Sequence, residues 1–207
     1  MSDSTAILTE KLMLRRERRL IDLLLAAASY PAGNDNTLNA GARWSNYPSA
    51  TSDPSATVAL GRALIAQTGH QANTMILPSA VYEIAREHPK VTDKIKYVQV
   101  GVITPALLSN LWDIKNIIIA GGIENAAIQG QPDNLQFMWG KNIWIGYVAP
   151  RAALRQASWG YHLQSQALQT ERWRDDERKG EVIRVSYKDV PKLITPSAGC
   201  IFRSVIL

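Results

Sequence analysis

The sequence predicts a mixed α+β fold, because three different patterns follow one another along the chain. Residues 4–29 come first and space their apolar side chains as one face of a helix would. Short apolar runs then alternate with helical patterns, as in a sheet that is flanked by helices. From Asn134 onwards, aromatic-rich runs are separated by polar turns, which favours β-strands. We therefore expect a long N-terminal helix, a central sheet flanked by helices, and C-terminal strands.

The composition is that of a soluble globular protein. The chain has 207 residues, of which 46% are hydrophobic and 20% charged. It can therefore bury a sizeable hydrophobic core, as one large domain or two small ones. Cys200 is its only cysteine, which excludes an intramolecular disulfide and a multi-cysteine zinc site. The start, "MSDSTAILTEK", lacks the features of a secretory signal, and the most apolar run, "LIDLLLAAA", is about half a membrane span, so no membrane contact is expected. A net charge of +5, spread along the chain, indicates at most weak binding to polyanions.

The first helix carries a strongly basic segment, "RRERR". A helix of ~20 residues, roughly 30 Å long, is predicted within residues 4–29, and Thr9 is a candidate cap for its regular part. Two interpretations of the basic segment remain open: a solvated face that Glu17 supports, or a surface for nucleic acid or an acidic partner. No aromatic residue interleaves with the arginines, so stacking on bases is not indicated. The candidate residues are Arg15, Arg16, Arg18 and Arg19.

A polar loop over residues 30–53 follows the helix. It is rich in Pro, Gly, Asn and Ser and shows no sustained period. A connection of this length in a compact domain is usually functional or ordered by a partner. Trp44 and Tyr47 predict that the loop docks on something, either its own domain or a neighbouring subunit.

The middle of the chain predicts helices that alternate with short buried strands. Asp53 and Pro54 form a good helix start, and that helix should run to about Thr68. "TMILP" then reads as a buried strand, and "SAVYEIAREHP" as a helix that Pro89 ends, with "VTDKIKY" as a charged continuation. "TPALLSNLW" predicts a helix capped at Thr104, and "NIIIAGG" a buried strand.

The last third of the chain predicts strands. "LQFMWGKNIWIGYVAP" is interpreted as two strands joined by a Gly-Lys-Asn turn, with Trp139, Trp144 and Tyr147 as large packing surfaces. "DDERKG" is the clearest hairpin tip, between "SWGYHLQ" and the strand that follows it. "GCIFRSVIL" predicts a final apolar strand.

No catalytic or cofactor motif is present in the sequence. It contains no G-x-S-x-G, no Walker loop and no G-x-G-x-x-G. His70, His88 and His162 lack metal-ligand spacing, and His88 is interpreted as a cation in the last turn of its helix. The carboxylates at 175–177 are interpreted as a salt-bridged turn. We therefore expect no metal, no cofactor and no catalytic residue.

Two potential nucleophiles are interpreted in the same way. Cys200 lies in an apolar run, where a thiol has a raised pKa and is a poor nucleophile. Ser79 follows a strand at the corner where many α/β enzymes place a nucleophile, but no histidine partner accompanies it in the sequence, so it is interpreted as a helix start. An α/β enzyme that uses Ser79 remains an alternative.

Two groups of motifs carry a resemblance to a known family. They are "P-S-x-V", "HP" and "D-x-I-K-Y" within "TMILPSAVYEIAREHPKVTDKIKY", and the later "MWGKNIWIGYVAP". Together with the long first helix and a strand carrying "SWGYHL", they resemble the major capsid proteins of tailed bacteriophages and prophages, which have the Hong Kong 97-type fold. The resemblance covers nearly the whole chain.

The resemblance implies both an architecture and a structural function. Residues 1–55 would form the spine helix, from Thr5 to Ser29, and the loop of a peripheral domain, residues 56–150 an axial domain, and residues 151–207 strands that complete both. The subunit would assemble with itself into pentamers and hexamers of an icosahedral shell around double-stranded DNA, with scaffolding and portal proteins as further partners. It would have no enzymatic activity, and would be found in the virion after assembly in the cytoplasm of a bacterial host. The implied interface or DNA-facing residues are Arg15, Arg16, Arg18, Arg19, Trp44 and Tyr47.

One departure from the family pattern concerns the N-terminus. Family members usually carry an extended N-terminal arm and a long β-hairpin loop before the spine helix, and these embrace neighbouring subunits. This chain starts almost at the helix, so both elements are expected to be absent, in a truncated or a naturally short form. The alternatives to a capsid subunit are an encapsulin-like nanocompartment shell protein and the enzyme that uses Ser79.

Overall fold

The fold combines helices and strands, as predicted. A computed structural model describes residues 3–96, 103–153, 156–177 and 179–207. The helices are α1 (Asp3–Leu25), α2 (Pro54–Ala66), α3 (Ser79–Glu87), α4 (Pro89–Ile95) and α5 (Pro105–Trp112). The strands are β1 (Asp35–Thr37), β2 (Thr74–Pro78), β3 (Asn116–Ala120), β4 (Ile123–Asn125), β5 (Leu135–Phe137), β6 (Ile143–Gly146), β7 (Gly160–Asp175), β8 (Gly180–Leu193) and β9 (Gly199–Arg203).

A five-stranded sheet forms the centre of the molecule. Its strand order is β1-β9-β6-β2-β3, in which β1 pairs with β9 and β2 with β3 in parallel, while the other pairs are antiparallel. The strand β3 was predicted to be buried, but it lies at the edge of the sheet and its Ile118 is 51% exposed. The prediction was wrong because an apolar run of this length does not distinguish a central strand from an edge strand.

The two faces of this sheet pack against different elements. Side chains alternate along a strand, so Met75 and Leu77 point to one face and Ile76 to the other. Helices α2 to α5 cover the first face, which we call the helical face, in a core that includes Met75, Leu77, Ile143, Ile145 and Phe202. The second, the tryptophan face, packs Trp144, Trp159 and Ile201 against α1. Each face therefore has its own hydrophobic core.

Helix α1 is anchored at its C-terminal end. Ile21 and Leu24 are buried against the tryptophan face. The last carbonyls of the helix accept hydrogen bonds from side chains: Ser29 Oγ donates to Leu23 (2.7 Å), Tyr30 Oη to Leu24 (2.6 Å) and Arg203 Nη2 to Leu25 (2.9 Å). These bonds satisfy acceptors that a helix end leaves unpaired, so α1 ends at Leu25, earlier than predicted.

The helix starts are partly as predicted. Asp53 caps α2 by accepting from the backbone N–H groups of Ser55 (2.9 Å) and Ala56 (3.1 Å), and Thr104 caps α5. Thr9, in contrast, lies inside α1, where its hydroxyl donates to the Thr5 carbonyl at 2.8 Å. A threonine within a helix uses this backbone acceptor, so it is not a cap.

Pro89 separates two helices. It follows the end of α3, as predicted, but it is also the first residue of α4. This position suits proline, because the first residue of a helix needs no N–H partner. The predicted continuation "VTDKIKY" is therefore a separate helix up to Ile95, with Lys96 as its C-cap, and Tyr97 lies outside the described residues.

The two strands predicted within residues 135–150 are present, but the prediction that a turn joins them as a pair is wrong. The strand β5 pairs with β4 in a small two-stranded sheet, while β6 lies between β2 and β9 in the central sheet. All four residues of β6 are buried, so its pairing is decided by core packing.

A long hairpin is formed by β7 and β8. Their pairing runs from Gly160↔Leu193 to Asp175↔Gly180, and the turn lies where "DDERKG" predicted it. The β-hairpin loop that family members carry before the first helix was expected to be absent; the hairpin of β7 and β8 is a different one, which lies after that helix in the chain. Its outer part, residues 167–174, is exposed.

Candidate interaction surfaces

A buried carboxylate joins α1 to the hairpin. Asp189 of β8 is paired with Arg16 (Nε to Oδ2, 2.9 Å) and Arg19 (Nη2 to Oδ1, 2.6 Å). His162 of β7 hydrogen-bonds the same carboxylate, and Tyr187 accepts from Arg19 Nη2 at 2.9 Å. We call these five residues the Asp189 cluster. It fixes two of the four candidate arginines against their own chain.

The electrostatics of Asp189 follow from this packing. Burial alone raises the pKa of the carboxyl, but the hydrogen bonds from His162 and Arg19 outweigh it, so the pKa of Asp189 is lowered. The charged carboxylate is therefore the form that the fold stabilises. A bond to Asp189 in turn raises the pKa of Arg19.

The other two candidate arginines differ from each other. Arg18 pairs with Asp22 one turn later (3.0 Å) and with Glu124 of β4. Arg15 is exposed and makes no ion pair with any described residue. Of the basic segment, only Arg15 presents an uncompensated charge in the part of the chain that the structure describes.

Trp44 and Tyr47 have separate environments. Trp44 is 0% exposed; its indole donates to Thr57 Oγ1 at 3.3 Å and its ring packs on Trp112 at 6.1 Å. The loop therefore docks on its own domain through Trp44. Tyr47 remains partly exposed and contacts the ring of His88 edge-on at 5.4 Å.

His88 is a buried neutral ring, and its predicted role as a helix cation is wrong. It is 0% exposed, its Nδ1 accepts from the Lys90 N–H (3.2 Å), and its Nε2 lies 3.1 Å from Ser52 Oγ. An Nδ1 that accepts leaves the proton on Nε2, which donates to Ser52. Burial lowers the pKa of His88, so the ring caps α4 without a charge.

The two potential nucleophiles lack activating partners. Ser79 opens α3, but the residue in the capping position is Pro78, and the buried Ser79 Oγ has no hydrogen-bond partner among the described residues. Burial raises the pKa of the Cys200 thiol to about 12. Within the described ranges, no three His, Cys, Asp or Glu side chains are grouped as a metal site would require. No helix there has the length and apolar character to cross a membrane.

The tryptophan face is only partly covered and leaves a groove. Helix α1 lies over β6 and β9, and beyond it a groove of about 1020 Å³ extends to the open edge of the sheet. Leu20 and Leu23 of α1, Ile76 and Ile118 of the sheet, and the base of the hairpin line it. Lys115 and Lys192 are its charged rim.

A second apolar surface lies on the small sheet of β4 and β5. We call residues 121–138 the lobe. Met138 is buried, but four of the lobe's large apolar side chains face solvent: Ile123, Ile128, Leu135 and Phe137 are all exposed, and Ile128 is 80% exposed. Exposed apolar surface in a cluster marks an interaction site more often than scattered apolar residues do.

Comparisons with known proteins show which proteins this chain is similar to. The chain is 29% identical over 203 residues, 95% of its length, to the major capsid protein of Burkholderia phage BcepMu. It is 29% identical over 134 residues to the major capsid protein of Pseudomonas phage JBD67. It spans 64% of the length of the first protein and 41% of the second. The resemblance to phage major capsid proteins that the sequence motifs indicated is confirmed.

A solved structure is similar over almost the whole chain. A phage-related protein from Bordetella bronchiseptica RB50 superposes with a TM-score of 0.85 at 25% identity, covering 98% of this chain and 66% of that one. No protein-family model matches the chain.

The Asp189 cluster, the groove and the lobe were not predicted from the sequence. Asp189 comes from the hairpin and lies 170 residues from Arg19. No local signal connects them. The lobe could have been found as a stretch without lysine or arginine that still carries large apolar residues.

Proposed function

We propose that this chain is a structural subunit of a phage shell, a major capsid protein. The observation that carries the proposal is its 29% identity over 203 residues to the major capsid protein of a Burkholderia phage. Broad apolar docking surfaces suit such a role, because a shell subunit works through contacts with other copies.

The finer architecture belongs to the same proposal. We infer a Hong Kong 97-type subunit, in which α1 is the spine helix of a peripheral domain within residues 1–55 and residues 56–150 form the axial domain. Residues 151–207 complete both, and the position of β9 inside the central sheet agrees with that. The copies would form pentamers and hexamers around double-stranded DNA, assembled in a bacterial cytoplasm with scaffolding and portal proteins and retained in the virion.

Contact between α1 and DNA would use little of the basic segment. Three of the four candidate arginines are paired within the chain, so a broad basic stripe on α1 is not available for phosphates. Arg15 is left as the candidate for a DNA-facing charge. Any DNA contact through this helix would therefore be weak and non-specific.

Negative-stain electron microscopy and light scattering of the purified chain test the function. We expect closed shells or separate rings of subunits, and a Ser79→Ala variant should form the same particles. A wild-type chain that stays monomeric at every concentration would contradict the structural role. Turnover of any substrate that Ser79→Ala abolishes would instead support the enzyme alternative.

A further inference from the structure

The groove is the part of the tryptophan face that α1 does not cover. Its floor is apolar, α5 lines its side next to β3, and Ile118 of β3 remains 51% exposed. At the same place β3 presents an open strand edge, without the proline, bulge or inward charge that normally protects one. Concave apolar surface of this size is typical of a binding site.

The charges around the groove select the kind of partner. Lys115 and Lys192 stand on its rim and make no ion pair with a described residue, and none of the described residues that line it is acidic. An occupant with apolar side chains and a carboxylate would bury the floor and neutralise the rim. A basic occupant would be repelled.

The lobe has this chemistry. Its only charged residues are Glu124 and Asp133, and it has no lysine or arginine. Arg18 neutralises Glu124, whereas Asp133 accepts a hydrogen bond from Asn125 (2.7 Å) and has no cationic partner among the described residues. Ile128 is 80% exposed, so it does not enter the groove of its own chain.

We propose that the lobe of one copy docks in the groove of a second copy, with Ile128 against the apolar floor and Asp133 beside the rim lysines. The contact joins two different surfaces, so its repetition links many copies, in a closed ring where the rotation between copies closes and in an open filament where it does not. This inference rests on the proposed shell function, and it names the surfaces through which neighbouring copies meet.

Sedimentation velocity on the full chain tests the apolar half of the contact. Ile128→Asp should weaken self-association at least tenfold, because it places a charge on the apolar floor of the neighbour. Ile7→Asp is the matched control: Ile7 is also exposed, at 52%, but lies in α1 outside both surfaces, so this variant should associate as the wild type does.

A charge exchange tests the polar half. Lys115→Glu and Asp133→Lys should each weaken association, and the double variant should recover it, since every copy then carries both reversed charges. Carbodiimide cross-linking of mixed ¹⁵N-labelled and unlabelled copies should join Asp133 to Lys115 or Lys192 between chains, which mass spectrometry detects.

The possible failures are distinguishable. If shells form, Ile128→Asp assembles normally and no mixed-label cross-link joins these surfaces, the inference is wrong and the shell function stands. If the groove lysines also react with acylating reagents in such shells, no second copy covers the groove, and its partner is a different protein. If the wild type never associates, the shell function and this contact both fail.

Discussion

The two faces of the central sheet are built for different purposes. The helical face is covered along its length by α2 to α5, and its central side chains, such as Leu77 and Phe202, are fully buried. The tryptophan face is covered by α1 at one end and is open over β3 at the other. One sheet thus combines a completed core with a surface kept for a partner. The difference shows that the apolar residues of a strand serve folding where other elements cover them, and are available for binding where no element does.

The largest effect is expected on the completed face. Phe202→Ala should reduce the free energy of unfolding by about 3–5 kcal/mol, because it removes a fully buried ring and leaves a cavity. Urea unfolding measures it. Ile118→Ala, on the open face, should cost less than about 1 kcal/mol because the side chain is half exposed. Equal losses for the two variants would break the comparison of the faces.

The next effect concerns the attachment of the hairpin to α1. Asp189→Asn should cost about 2 kcal/mol, because Arg16 and Arg19 lose the carboxylate that accepts their hydrogen bonds. The control is Glu124→Gln, whose more exposed pair with Arg18 should contribute less than about 1 kcal/mol. The lowered pKa of Asp189 adds a pH test: its contribution is complete above the ordinary aspartate pKa of about 4 and is lost as the pH falls through the folded pKa. A loss for Asp189→Asn no larger than that for Glu124→Gln would contradict this role.

A smaller effect lies at the start of α4. The pKa of His88 is lowered by burial, so the unfolded chain binds a proton near pH 6.5 while the folded chain stays neutral to lower pH. The free energy of unfolding should therefore fall as the pH drops below about 6.5 and be insensitive to this group above it. His88→Asn keeps an acceptor for the Lys90 N–H but cannot take up a proton, so its stability should fall less between pH 7 and 5. Parallel pH profiles for the two proteins would rule out the buried neutral ring.

The smallest effect is expected at Arg15. Arg15→Gln should leave the free energy of unfolding unchanged, because the side chain has no ion pair among the described residues. If the helix touches DNA, the slope of log affinity against log salt should fall by about one unit or less. Filter binding with a non-specific duplex measures this slope. A change of several units would mean that the paired arginines also reach phosphates.

Local sequence patterns predicted many of the helices, strands and turns. They did not predict which strands pair when those strands are far apart in sequence. The Asp53 cap, the Thr104 cap and the hairpin turn at residues 175–180 depend on neighbours in sequence, and the structure confirms them. The edge position of β3 and the separation of β5 from β6 depend on which strands meet across the sheet. Nothing within either segment encodes that choice.

The candidate site shows the same limit. The arginines were recognised from composition, but their partners were not, because Asp189 reaches them only once the hairpin has packed on α1. The sequence left open whether the loop that carries Trp44 docks on its own domain or on a neighbouring subunit. The packing of Trp44 on Trp112 shows that the loop docks on its own domain. The charge or aromatic character of a side chain indicates that it makes contacts, but it does not identify the residues that it contacts.

The position of β9 has a consequence for the order of folding. It lies between β1 and β6 in the central sheet. Without β9, the strand β1 would have no hydrogen-bonded connection to the rest of that sheet. Arg203 at its end also binds Asp35 and the last carbonyl of α1. During synthesis the sheet cannot close until residues 199–203 have left the ribosome, and contacts this distant in sequence form slowly. Until then the nascent chain holds an incomplete central sheet, in which β1 has no neighbouring strand.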